Sequence, residues 1–111
     1  MAVIEAALAR TGLAKEALGV IATSEAKGGE PGIAGAASAL GVPLVLVAQT
    51  DLEAAAGRTA TSSERVIALT GVPSVAEAAA LAAGGAAARL VAPRVAVGAA
   101  TCALADTGAA P

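Results

Sequence analysis

Residues Leu44–Ala48 read LVLVA, five apolar side chains in succession. The run is short, with Gly41 and Pro43 before it and Gln49 and Thr50 after it. That marks it as a strand rather than a helix. A strand with no polar position must be covered on both faces, which is the situation in sheets layered between helices. The rest of the chain alternates in a compatible way. Val20–Thr23, Leu90–Ala92 and Val97–Leu104 read as further strands. Ala2–Ala14, Pro31–Leu40, Asp51–Ala56, a segment from Thr61 to about Leu69, and a segment from Ser74 read as helices, with one extra turn at Lys15–Leu18. Alternating strands and helices predict an α/β fold, a three-layer α/β/α domain with a small mixed, mostly parallel sheet. Val20–Thr23, Leu44–Ala48 and Leu90–Ala92 are expected side by side. The last two strands are joined by only a few residues, too few for a parallel crossover, so that pair must be antiparallel. One domain is expected over residues 1–106, with a flexible tail at 107–111.

The helix limits carry their own signals. Pro31 suits a first helical turn, and Gly41 suits a stop. Gly71-Val72-Pro73 is a turn leading into Ser74, with Glu77 three residues later. That spacing is a capping box, in which each side chain satisfies an orphan backbone N–H at a helix start. Gly84 and Gly85 close the segment. Thr50 with Glu53, and Thr61 with Glu64, repeat the spacing and predict two more capping boxes.

Composition restricts the core and the function classes. The chain has no Phe, Trp or Tyr, and 35 of its residues are alanine. Each packed contact therefore buries little area, and helices and sheet must approach closely. A net charge of −2 and the lack of any basic run or aromatic platform argue against nucleic acid as a partner. No histidine is present, which removes a Ser-His-Asp mechanism and the commonest metal ligand. One cysteine, Cys102, fits a reducing compartment and no metal site. It alternates with Ala100 and Leu104 and reads as an inert, inward-facing thiol. Glu5 interrupts any signal-peptide core, and glycines and prolines break the uncharged stretch Pro31–Thr50. A cytoplasmic protein with no membrane partner is expected.

Four stretches resemble a known family, in its order and spacing: IATSEAKGGEPGI (21–33), ALGVPLVLVAQTDL (39–52), GVPSVAEAAAL (71–81) and RLVAPR (89–94). Over residues 19–105 the chain is similar to the C-terminal domain of the cobalamin biosynthesis protein CbiG and its stand-alone relative CobE. The resemblance implies a role in making the corrin ring. CbiG-type proteins are associated with opening the lactone ring of cobalt-precorrin-5A, an activity attributed to the whole protein with its larger N-terminal region. The family usually opens with a strand ending in a Gly-x-Gly-Cys-basic turn, whereas this sequence starts on the following helix. It also tends to carry basic residues where Val95 and Ala96 stand. Catalysis by this chain alone is therefore not expected, and no cofactor is implied.

The candidate site follows from topology and resemblance together. Loops that follow parallel strands share one sheet edge, where α/β domains place ligands. Lys27 and Glu30 follow Val20–Thr23, Gln49 and Thr50 follow Leu44–Ala48, and Arg94 follows Leu90–Ala92. The helix starting at Ser74 begins on the same edge. Lys27 and Arg94 would hold the carboxylates of a corrin-ring intermediate, and Glu30 is the candidate for acid–base work. The bland alternatives are a solvated lysine, a turn arginine, and a glutamate placed favourably at a helix start. The competing function is a non-catalytic module docking another cobalamin-pathway enzyme. The missing first strand predicts an open edge or groove beside Val20–Thr23, hence self-association as a homo-oligomer or a weakly stable monomer.

Overall fold

The computed structural model describes residues 2–60, 62, 64–98 and 100–107. Helix α1 spans Ala2–Thr11 and buries Val3, Ala7 and Leu8 on one stripe. It ends at Gly12, whose φ of 73° admits only a residue without a Cβ at low cost. It is therefore three residues shorter than its apolar pattern suggested. A single 3-10 turn at Lys15–Ala17 leads to strand β1, Ile21–Ser24. Helix α2, Pro31–Leu40, starts on Pro31 and stops at Gly41 in the left-handed conformation, both as expected. Strand β2 is Leu44–Val47. Helix α3 covers Gln49–Ala55, α4 covers Glu64–Thr70 and α5 covers Val75–Gly84. Strands β3, Leu90–Val97, and β4, Ala100–Ala105, finish the fold.

The mixed α/β class holds, and the layering can be read from alternating side chains. On β4, Cys102 and Leu104 pack with Ala7 and Leu8 of α1, while Ala105 packs with the cluster of Ala78, Ala79 and Leu81 from α5. Successive strand residues point to opposite faces, so α1 and α5 lie on opposite sides of the strand layer. Ala22 of β1 and Val45 and Val47 of β2 join the α5 cluster, with Leu52 and Ala55 of α3. Helix α5 thus underlies all four strands.

The single sheet expected from the sequence is corrected to two ladders. β1 pairs parallel with β2, from Ile21 opposite Leu44 to Ser24 opposite Val47. β3 pairs antiparallel with β4 and not with β1 or β2. Leu90–Ala92 therefore does not lie beside the other two apolar strands. β3 is also longer than expected and runs through Pro93. Its register shifts between Ala92 and Val95, because proline has no N–H to give the ladder and sits where pairing breaks. The cover of LVLVA is likewise one-sided. Val47 is buried, but Leu46 is 47% exposed and rests against the turn at Gly28.

Two of the three capping boxes need comment. At Ser74 the hydroxyl oxygen accepts from the Glu77 backbone N–H at 3.3 Å, as expected. At Thr50 the box is corrected: α3 starts one residue earlier, on Gln49, with Ala48 as its cap and no side-chain bond. Glu53 instead accepts from Gln49 Nε2 at 3.1 Å. The box at Thr61 lies outside the described residues.

The far end of α5 is held by Arg58, a residue the sequence pattern did not single out. Its guanidinium donates to the carbonyls of Gly85 and Ala86 at 3.3 Å each and of Ala88 at 2.9 Å. These three carbonyls lie just beyond the last residue of α5, so the guanidinium gathers the chain as it leaves the helix, with its charge at the negative end of the helix dipole. Arg58→Ala is expected to lower stability by about 1–2 kcal/mol, modest because the residue is exposed. Arg58→Lys should recover part of this, since all three bonds come from one nitrogen, Nη1, whose place the ammonium of a shorter side chain reaches only in part. Thermal melting of the three proteins checks the order.

Candidate functional site

Helix α5 begins at the end of the strand layer where β1 and β2 finish, and a buried carboxylate organises that end. Glu77 is fully buried. Its Oε1 accepts from the Ala60 N–H and its Oε2 from the Arg94 N–H, each at 2.8 Å. One side chain therefore ties the segment before α4 and the middle of β3 to the first turn of α5. Sequence reading gave Glu77 the smaller role of a cap. The stronger signal was its isolation: it is the one charged residue between Arg65 and Arg89. A lone charge in an alanine-rich helix is either solvated or deliberately paired, and this one is paired.

The sequence-predicted site residues fall into two groups. Ser74 is 2% exposed and is occupied as the cap of α5. Gln49 is exposed, and its amide nitrogen donates to Glu53 and, at 2.7 Å, to the Thr70 carbonyl. Gln49 thereby pins the Thr70-Gly71 turn. A Cβ at Gly71, where φ is 78°, would lie 3.2 Å from that amide nitrogen. These two residues build the site's frame. Lys27, Glu30, Thr50 and Arg94 are exposed and form the second group. Lys27 and Glu30 come together on the wall of one large cavity. Thr50 and Arg94 do not line it, although the Arg94 backbone is fixed through Glu77.

That cavity has a volume of about 940 Å³. Its body is walled by apolar residues of α1, α2, β1, α5 and β4, including Ile4, Ile33, Ala79 and Leu104. Lys27 and Glu30 are exposed members of its lining, in the turn before α2 and at the N-cap of that helix. Cys102 also lines it, and burial pushes its thiol pKa up, which keeps it protonated and a poor nucleophile. Among the described residues no cluster of three or more His, Cys, Asp or Glu side chains could hold a metal ion. None of the described helices is long and apolar enough to cross a membrane.

Comparison with known proteins assigns the family. A family model described as cobalamin synthesis G C-terminus matches residues 1–105. The chain belongs to that family. Protein CobE of a Sinorhizobium species is 41% identical over 105 residues, which are 95% of this chain and 68% of that protein. Among solved structures, CobE of the cobalamin biosynthetic pathway superposes with a TM-score of 0.85 at 32% identity, over 94% of this chain and 76% of its own. The cobalamin biosynthesis protein ChiG of Agrobacterium tumefaciens superposes at 0.74 with 46% identity, over 97% and 85%. This member of the cobalamin synthesis G C-terminal family is thus a protein of cobalamin biosynthesis. The family's α/β fold is the one described above.

Proposed function

We propose that this chain binds an anionic corrin-ring precursor at the end of the strand layer occupied by Lys27, Glu30, Thr50 and Arg94. In that reading it assists the lactone opening of cobalt-precorrin-5A and does not catalyse it alone. The observation that carries the proposal is that Lys27 and Glu30, both exposed, line the same cavity, with Glu30 at the N-terminus of α2. A corrin precursor is edged with acetate and propionate groups. A lysine, a guanidinium and a helix start supply localised positive potential in a chain that is net acidic. Glu30 lines the same cavity as Lys27 and is the one carboxylate among the proposed ligand-binding residues, suited to orient a water or take a proton. Ser74, buried as a cap, and Gln49, an exposed turn clamp, hold this surface in place and need not touch the ligand.

Titration of a corrin-ring intermediate, followed by its visible absorption, tests the proposal. Lys27→Ala and Arg94→Ala are each expected to weaken binding by about 1–3 kcal/mol, the range of a charge-assisted hydrogen bond. Glu30→Gln should leave affinity nearly unchanged and reduce only any assistance to lactone opening. A Lys27→Ala, Arg94→Ala double variant that binds as tightly as the parent would remove the proposal.

A further inference from the structure

Thr50 and Arg94 are exposed and stand outside the cavity, and helix α4 runs between them. The chain enters this stretch at Ala60, whose N–H shares the Glu77 carboxylate with the N–H of Arg94. Each bond is 2.8 Å long, so one carboxyl group and its two bonds span the distance from Ala60 to Arg94. The chain leaves the stretch at Thr70, whose carbonyl accepts from the amide of Gln49, the residue before Thr50. The seven residues of α4, about 10 Å of helix, bridge these two moorings. Val66 and Thr70, four residues apart, are half-buried and mark the inward side of α4. The three residues between them face outward. Ile67 is 41% exposed, Leu69 is 74% exposed, and Ala68 is exposed as well. Glu64 is exposed in the first turn, so the apolar surface belongs to the last turn. Single exposed apolar side chains are ordinary, whereas three in succession are not what a purely solvated surface selects.

We infer that Ile67, Ala68 and Leu69 form a shelf for the apolar face of a macrocycle, whose carboxylates reach Arg94 on one side and Thr50 on the other. The inference rests on the corrin reading and names the residues that hold the ring rather than its acid groups. A corrin precursor is a broad apolar ring with anionic edges, so positive charge alone matches only its rim. It needs an apolar surface within reach of a cation. Helix α4 supplies that surface, and Glu77 moors the chain leading into it to the backbone of Arg94. Thr50 adds a hydroxyl donor for a second carboxylate at the other mooring. Folding buries little of Leu69, the most exposed of the large apolar side chains among the described residues. Its apolar area is left to be covered by a ligand, which is where truncating it would be felt.

The probe is uroporphyrin, a flat macrocycle edged with acetate and propionate groups, with tricarballylate as an anion that has no ring. Calorimetric titration of the 111-residue chain reads both. Ile67→Ala and Leu69→Ala are each expected to weaken uroporphyrin binding about fivefold. Neither should lower the melting temperature, since both side chains are exposed in the fold. Val97→Ala truncates a side chain as exposed as Ile67, at the last residue of β3, and should leave affinity unchanged. Tricarballylate should bind the parent and both α4 variants alike. Parent affinity for uroporphyrin in both α4 variants, or an equal loss for tricarballylate, would overturn the shelf. In that case a loss in the Lys27→Ala, Arg94→Ala double variant would still leave the corrin reading standing. The reverse pattern, a loss in the α4 variants and none in the double variant, would keep the ring contact and remove the anionic reading. A parent that does not bind uroporphyrin would overturn both. A dimeric parent and a monomeric Leu69→Ala variant in sedimentation would give this face to a second copy and overturn the shelf.

Discussion

Glu77→Ala is expected to lose about 3–5 kcal/mol of folding stability, most of what a domain of this size holds. The substitution removes the acceptor for two backbone N–H groups, those of Ala60 and Arg94, in a place where Glu77 itself is fully buried. Ala60 and Arg94 are themselves exposed and both bonds are part-buried, so each N–H left without its carboxylate costs toward the lower end of about 1–3 kcal/mol, and the volume emptied around the buried side chain adds to this. Glu77→Gln separates the charge from the shape. The amide keeps one acceptor oxygen but presents an NH₂ to the second N–H, so about 1–3 kcal/mol should be lost. The ordering parent, Gln, Ala in urea denaturation is the test. A Glu77→Ala protein melting within about 2 °C of the parent would show that the two bonds contribute little. The effect also reaches function. Without this clamp the Arg94 backbone loses its tether to α5, and in the proposed reading, where the Arg94 guanidinium meets a ligand carboxylate, that tether fixes its origin.

How far the sequence foretold this arrangement depends on the range of the interaction. Helix ends written in local chemistry were legible: Pro31 and Gly41 bound α2, and Ser74 caps α5. Thr50 and Glu53 carry the same spacing as Ser74 and Glu77, yet α3 begins on Gln49. There Gln49 gains the Thr70 carbonyl and Glu53 gains Gln49, so a long-range bond outweighed a local cap. The antiparallel β3–β4 pair was legible from its short connection. The division of the strands into two ladders was not, because strand adjacency depends on what lies between strands, and LVLVA reads the same beside a neighbour or beside a gap. That Lys27 and Glu30 lie close in space was legible because one short loop carries both. The use of Glu77 by Ala60 and Arg94, each 17 residues away, leaves no periodic trace in the chain.

Leu81→Ala should cost about 3–5 kcal/mol, whereas Leu46→Ala, the same chemical change, should cost about 0.5 kcal/mol or less. Leu81 is 1% exposed, at the centre of the cluster formed by Val47, Leu52, Ala55, Val72, Ala78, Ala79 and Ala88. In most cores a larger neighbour can rotate into the space a lost isobutyl group leaves. Here four of the seven neighbours are alanines, which have no rotamer to adjust, and no aromatic ring exists anywhere in the chain. The cavity should persist, which places the cost at the upper end of the range for buried leucines. Leu46 belongs to the most hydrophobic run in the sequence, but it is 47% exposed, so truncating it gives up little buried area. Leu81→Met preserves volume and should lose less than about 1.5 kcal/mol. Urea unfolding of the three variants at a common slope decides the matter. Equal losses at Leu81 and Leu46 would mean that α5 is not the element holding both ladders, and that hydrophobicity along the chain is a better guide to its core than the packing described here.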